Sequence, residues 1–264
     1  MTKIAGSYPE NEQILKYLLT ETSQHESRPT SADRIIDFLK LELVTFDFNL
    51  LDDEQLAKRG RAILSYNQKT IAINSIIHPQ QVTFSKFHEI AHYVLPQHVK
   101  TFYICNAADM SLLQRSPLEQ EANEFAADLI YKGDIFTMES NSMPISFDTI
   151  IALATKYESS IESTAWRFVK YNFQPCVFVS YEKRDNIWKV KYSIFSTPFL
   201  RKHLQNRHSS LTDDNNQDVI KSEQEPSEIL KMECKMTIGD EKEVGFACEY
   251  FNNTYNVFAL IKEQ

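Results

Sequence analysis

Glycine is scarce in this chain, with 5 residues in 264. That argues against collagen-like repeats, propeller blades and glycine-rich phosphate loops. Basic residues are not in excess either. Lys and Arg number 28 against 36 Asp and Glu, a formal net charge of −8. A general electrostatic grip on nucleic acid needs a concentrated basic face, so at most a small local patch remains. The four cysteines (Cys105, Cys176, Cys234 and Cys248) contain no CxxC pair. This excludes a disulfide framework and a thiolate zinc site, and predicts buried free thiols. No apolar run approaches the roughly 18 residues of a membrane span. Residues 1–10 lack the apolar core of a secretory signal. These absences predict a soluble, cytoplasmic protein with no membrane partner. The chain is 42% hydrophobic and 12% aromatic, ordinary values for one large domain or two to three small ones.

Periodicity divides the chain into two kinds of segment. Residues 10–24 and 31–43 read as helices. In the second, Ile35, Ile36, Leu39 and Leu43 share a face, and Thr30 with Asp33 makes a capping start. Arg61–Asn74 alternates around Asn67-Gln68, the pattern of a β-hairpin. Thr83–Val94 is helical, with Phe84, Phe87, Ala91 and Val94 along one apolar stripe and Pro96 as its stop. Ser116-Pro117 opens a further helix whose apolar face is Leu118, Ala122, Phe125, Ala126 and Leu129. A third helical stretch runs from Phe147 to Tyr171, with a break near Ser159-Ser160. From Cys176 the period changes to two, and CVFVS, WKVKYSI, ECKMTI, GFACEY and YNVFALI read as five short strands. The polar, Asp/Asn/Gln/Ser-rich stretch His203–Ser227 reads as a linker or loop. The expected class is α+β: a mostly helical part with one small sheet, then a β-rich part beginning near 172–175.

One motif carries chemistry. His88-Glu89-Ile90-Ala91-His92 is an HExxH. Histidines four apart lie on one side of a helix, so both imidazoles can reach one metal ion. The glutamate after the first histidine sits beside that ion, placed to take a proton from water. Zinc suits imidazole nitrogens and leaves an open position in catalytic sites. Composition alone gives on the order of 0.015 such motifs in a chain of this make-up. The bland alternative is a pair of histidines on an exposed helix face.

A zinc site needs a third protein ligand, and the local sequence leaves the choice open. His98 completes HEIAHYVLPQH with metzincin spacing, but Leu95 stands where that motif needs glycine for a sharp turn. Glu119, in EQEAN, is the kind of downstream carboxylate that completes a His₂Glu set. Asn123, one turn on, would then orient a histidine ligand. Against Glu119 stands a capping box with Ser116, and Glu121 competes with it. An oxyanion stabiliser or substrate contact is expected near the metal, with Tyr66, Tyr93 and His98 as candidates.

HEIAHYVLPQH, then 27 positions from His92 to Glu119, then EQEANEFAADLI, resembles the ImmA/IrrE family of bacterial and phage regulatory metallopeptidases. The likeness covers roughly residues 30–170, with its diagnostic motifs in 84–130. Glu119, Ala122, Asn123, Phe125, Ala126 and Ala127 match the family's second motif. Leu129-Ile130-Tyr131-Lys132 departs from the usual leucine-methionine-proline run, and Lys86 and Phe87 from the residues usual before the first histidine. The resemblance implies one Zn²⁺ per chain, held by His88, His92 and Glu119, with Glu89 as catalytic base and Asn123 behind the ligands.

It implies a zincin-like metallopeptidase core over 1–140. A helix-turn-helix-like unit would follow over 141–173, then a β-rich regulatory or docking domain over 174–264. The expected activity is limited cleavage of a regulatory protein such as a helix-turn-helix transcriptional repressor, in transcription regulation and stress response. The extended substrate is expected to add to the edge of the Arg61–Asn74 hairpin. Two rivals stand beside this reading. One is a non-catalytic zinc scaffold, which would have no need of Glu89. The other is a DNA-binding regulator acting through residues 148–170, where Lys156, Arg167 and Lys170 are balanced by Asp148, Glu158 and Glu162.

Overall fold

The structure is a computed structural model. It describes residues 9–22, 29–52, 60–98, 102–106, 108–110, 116–184, 187–203, 227–238 and 242–263. Chain packing separates two units, Met1–Phe136 and Thr137–Gln264.

In the first unit, α1 (Pro9–Glu21) and α2 (Ala32–Leu39) precede a four-stranded sheet. The sheet comprises β1 (Glu42–Phe46), β2 (Gly60–Ser65), β3 (Thr70–Asn74) and β4 (Phe102–Asn106), in the order β1-β3-β2-β4. α3 (Pro79–Val94) and α4 (Pro117–Tyr131) complete its architecture. The expected helix over 31–43 stops early. Ser31, not Thr30, caps α2 by accepting from the Arg34 N–H. Lys40 then enters the left-handed region (φ 55°), closing the last turn through bonds to Asp37 and Ile36 carbonyls. Leu43 therefore falls in strand β1, which pairs in parallel with β3, and not on a helix face.

β2 and β3 form the expected antiparallel hairpin, with Ala62 opposite Ile73 and Leu64 opposite Ile71. All four of these side chains are fully buried. The hairpin has no free edge, however. β1 covers β3, and β4 covers β2. The expectation that substrate adds to the hairpin edge is therefore corrected: the outer strands are β1 and β4. Neither is expected from sequence: β1 begins inside the stretch read as helix, and β4 is a short run with no hairpin partner run beside it.

α3 departs from the simple amphipathic reading. No residue from Val82 to Leu95 is exposed, so the helix is covered all round. Phe87, Ile90 and Ala91 pack in the core, while Phe84 lies beside His88, ring centroids 6.2 Å apart, so the apolar stripe borders the histidines. α4 ends where Lys132 and Gly133 both take positive φ (56° each), a left-handed pair that stops the helix.

The second unit holds most of α5 (Asp134–Asn141), then α6 (Phe147–Lys156), α7 (Ile161–Lys170) and α8 (Thr197–His203). Its antiparallel sheet has the order β6-β5-β9-β8-β7. The strands are β5 (Cys176–Arg184), β6 (Ile187–Phe195), β7 (Ile229–Ile238), β8 (Lys242–Asn252) and β9 (Asn256–Lys262). All five expected strands are present, and the helical stretch 147–171 breaks at Ser159-Ser160 as expected. One sheet face buries Val177, Val179, Phe246, Tyr250 and Ile261 with Phe199 of α8. α7 lies against β5 and β6, where Glu162 accepts from Ser180, Lys191 and Tyr192. α5 and α8 were not foreseen. The expected loop at 203–227 lies largely outside the described residues.

The cysteines also differ from expectation. Cys105 and Cys176 are free and buried, but Cys234 and Cys248 form a disulfide. They lie diagonally across the β7–β8 ladder with Cα atoms 6.0 Å apart, inside the range a bridge requires. The mixed α+β class and the β-rich C-terminal region agree with the sequence reading.

Candidate metal centre

Two crossing helices assemble the site. His88 and His92 stand one turn apart on α3, both fully buried. Their Nε2 atoms are 3.0 Å apart. Glu119, in the first turn of α4, places Oε2 at 3.1 Å from the His88 Nε2 and 3.2 Å from the His92 Nε2. The capping-box alternative for Glu119 is not realised: Ser116 is the N-cap residue but makes no side-chain cap bond.

The triangle has the dimensions of a metal site. Donors at about 2.0–2.1 Å from a tetrahedral zinc lie about 3.3 Å from one another. Its proton chemistry points the same way. Asn123 Nδ2 donates to the Asp109 carbonyl at 2.8 Å, which turns Oδ1 toward His88 Nδ1 at 2.9 Å. An amide oxygen only accepts, so the His88 proton sits on Nδ1 and the Nε2 lone pair faces the Glu119 carboxylate. Two electron-rich atoms at that separation repel unless a cation lies between them. These residues fit a zinc ion.

Cys105 was not singled out by sequence. Strand β4 turns its side chain inward, and its Sγ falls within 4.8 Å of the donor atoms of His88, His92 and Glu119. Burial holds this thiol well above its ordinary pKa, with Glu89 and Glu119 adding to the effect, so it is a neutral thiol near neutral pH. Tyr103, two residues earlier on the same strand face, stacks on His92 with ring centroids 4.0 Å apart. Burial and the nearby Glu119 raise its hydroxyl to about 12. Neither residue shows a sequence signal, because both depend on how β4 is laid against α3.

Glu89 is fully buried, and neither carboxylate oxygen meets a nitrogen or oxygen donor among the described residues. Burial pushes its carboxyl up to about 7, in the range useful to a general base. Burial lowers His92 to about 4, so its imidazole is neutral at neutral pH.

The remaining candidates are placed differently. His98 is fully buried behind His92, with its Nδ1 at 2.8 Å from His92 Nδ1 and its Nε2 at 3.0 Å from Glu121 Oε2. Both ring nitrogens are thus engaged away from the triangle, against a role as third ligand or substrate contact. Tyr66 and Tyr93 pack on each other with ring centroids 5.2 Å apart.

Comparison with known proteins speaks to the family and the fold. Residues 44–168 match the model of the IrrE N-terminal-like domain, Peptidase_M78. This segment belongs to that family. It contains the HExxH helix, strand β4, all of α4 and most of the α6–α7 pair. A Mycobacterium tuberculosis transcriptional regulator has a similar fold, with TM-score 0.57 over 97% of this chain and 76% of that one. At 12% identity the likeness is one of fold. No curated protein sequence matches the chain. Among the described residues, no helix is long and apolar enough to cross a membrane.

Proposed function

We propose that this protein is a zinc-dependent endopeptidase making limited cuts in a regulatory protein, of the transcriptional repressor class. The observation that carries the reading is the triangle of His88, His92 and Glu119 with the buried, raised Glu89 one residue along the helix. His88, His92 and Glu119 would hold one Zn²⁺, which when bound supplies Lewis acidity toward a carbonyl and acidifies water.

The chain's own groups account for the rest. Glu89 takes a proton from the attacking water and passes it to the leaving amine nitrogen. Its burial keeps the proton affinity high enough for both transfers. Asn123 holds His88 in the tautomer that offers Nε2. β4 is the strand beside the site. Tyr103 and Cys105 face inward, Ile104 is 54% exposed, and among the described residues no strand pairs with the outer side of β4, where an extended peptide would add.

The zinc chemistry belongs to the N-terminal part, and the β-rich part from about 174 docks or regulates. A DNA-reading role for 148–170 has little support. No residue of α7 is exposed, and Arg167 is 4% accessible, so the helix offers no basic face to a groove. The test is co-expression with any small helix-turn-helix repressor found to be encoded beside this gene. A discrete cleavage product should form with the wild type and not with Glu89→Gln. An uncut repressor in both would reject this substrate class.

A further inference from the structure

Behind His92 runs a buried chain of hydrogen bonds that the zinc motifs do not account for. His92 Nδ1 meets His98 Nδ1 at 2.8 Å. His98 Nε2 meets Glu121 Oε2 at 3.0 Å. Glu121 Oε1 accepts from Asn11 Nδ2 at 2.7 Å. His92 and His98 are fully buried and Asn11 is 7% exposed. The four residues come from α1, α3, the turn after α3, and α4. Asn11 lies outside the family-matched segment 44–168.

The direction of this chain follows from donor chemistry. A carboxylate only accepts, and Asn11 already donates to its other oxygen. His98 must therefore carry its proton on Nε2. In that tautomer His98 offers a lone pair on Nδ1, so the proton between the two rings belongs to His92 Nδ1. That leaves the His92 lone pair on Nε2, pointing at Glu119 and His88. Tyr103 fixes the ring planes. It stacks on His92 at 4.0 Å and on His98 at 6.3 Å between centroids, with interplanar angles of 22° and 25°.

We propose that Glu121 and His98, with Asn11 anchoring the carboxylate, are positioning residues that select the Nδ1–H tautomer of His92 and aim its Nε2 into the metal site. This rests on the reading of His92 as a zinc ligand. The device parallels the part Asn123 plays for His88, but is built through a second imidazole. The glutamate two residues after Glu119 thus has a distinct task. Outer partners of this kind are worth roughly 10–100-fold in metal affinity.

The test uses the full chain with His98→Phe, which keeps a ring without an acceptor, and the pair Glu121→Ala and Glu121→Gln. Two quantities are measured: the zinc dissociation constant by chelator competition, and the His92 tautomer by nitrogen-15 NMR of the metal-free protein. Wild type should show His92 protonated on Nδ1. His98→Phe and Glu121→Ala should move that proton toward Nε2 and weaken zinc roughly 10–100-fold, with one zinc still bound at saturation. Glu121→Gln, whose amide oxygen can still accept from His98, should recover part of the loss. Unchanged tautomer and zinc affinity in both Glu121 variants would overturn the proposal, even if His98→Phe failed to fold. A wild type that binds no zinc, yet holds its His92 proton on Nδ1 only while Glu121 is present, would sink the metalloprotease reading and still support the positioning role.

Discussion

Glu89 and Cys105 face one another in the protein interior, the first 0% and the second 1% exposed. Burial raises the proton affinity of both, and the negative charge of Glu89 raises that of the thiol further. The group beside the base is thus a neutral, weakly polar thiol. A carboxylate in such a place costs stability whenever it ionises without a cation nearby.

That cost gives a pH dependence with a definite sign. The Glu89 carboxyl titrates near 7 in the folded chain against an ordinary 4.5. Its contribution to stability is fully present below 4.5 and is lost as pH rises through 7. The difference amounts to about 3 kcal/mol. In metal-free protein, Glu89→Gln should therefore gain melting temperature over wild type between about pH 5 and about pH 8. His92, lowered to about 4 by burial, loses stability in the acid direction in both proteins and cancels in the comparison. A constant gap across that range would contradict the buried-base assignment.

The same substitution separates binding from chemistry. Glu89→Gln removes the base and no proposed zinc ligand, so metal analysis should still find about one zinc per chain. Peptide cleavage should fall by roughly 10²–10⁴-fold. Unchanged cleavage by the purified variant would remove Glu89 from the mechanism.

Glu119→Ala should lower zinc content sharply, because it takes away one of the three proposed protein ligands. Asn123→Ala should retain zinc but bind it roughly 10–100-fold more weakly, since only the orientation of His88 is lost. Dialysis against a graded series of chelator concentrations distinguishes the two. Equal behaviour of the variants would mean that Asn123 does more than orient His88.

The Cys234–Cys248 bridge makes a prediction for the C-terminal unit. Denatured, unreduced protein should show two reactive thiols, from Cys105 and Cys176, and four after reduction. Closing a loop of 14 residues' separation is worth roughly 3 kcal/mol, so Cys248→Ser should lower the melting transition of this unit. The zinc affinity should not move. Four reactive thiols before reduction would show that the bridge is not formed in solution.

The sequence by itself determined those parts of the site that one helical turn can specify. His88 and His92 at i, i+4 must share a side of their helix, and Glu119 and Asn123 repeat that spacing on the next. The hairpin and the five C-terminal strands were legible for the same reason, since alternation is local. Tertiary structure decided what lies across from these groups. β1 pairs in parallel with β3 and β4 pairs with β2, so the hairpin lost its edge and Cys105 and Tyr103 came to face the histidines. His98 has the spacing of a ligand, but the turn after α3 carries it behind His92, where Glu121 and Asn11 take it up. Cys234 and Cys248 meet only because of the β7–β8 register. A side chain's role follows from the groups within a few ångströms of it. For these residues those groups come from elements far apart in the chain, which no local spacing can specify.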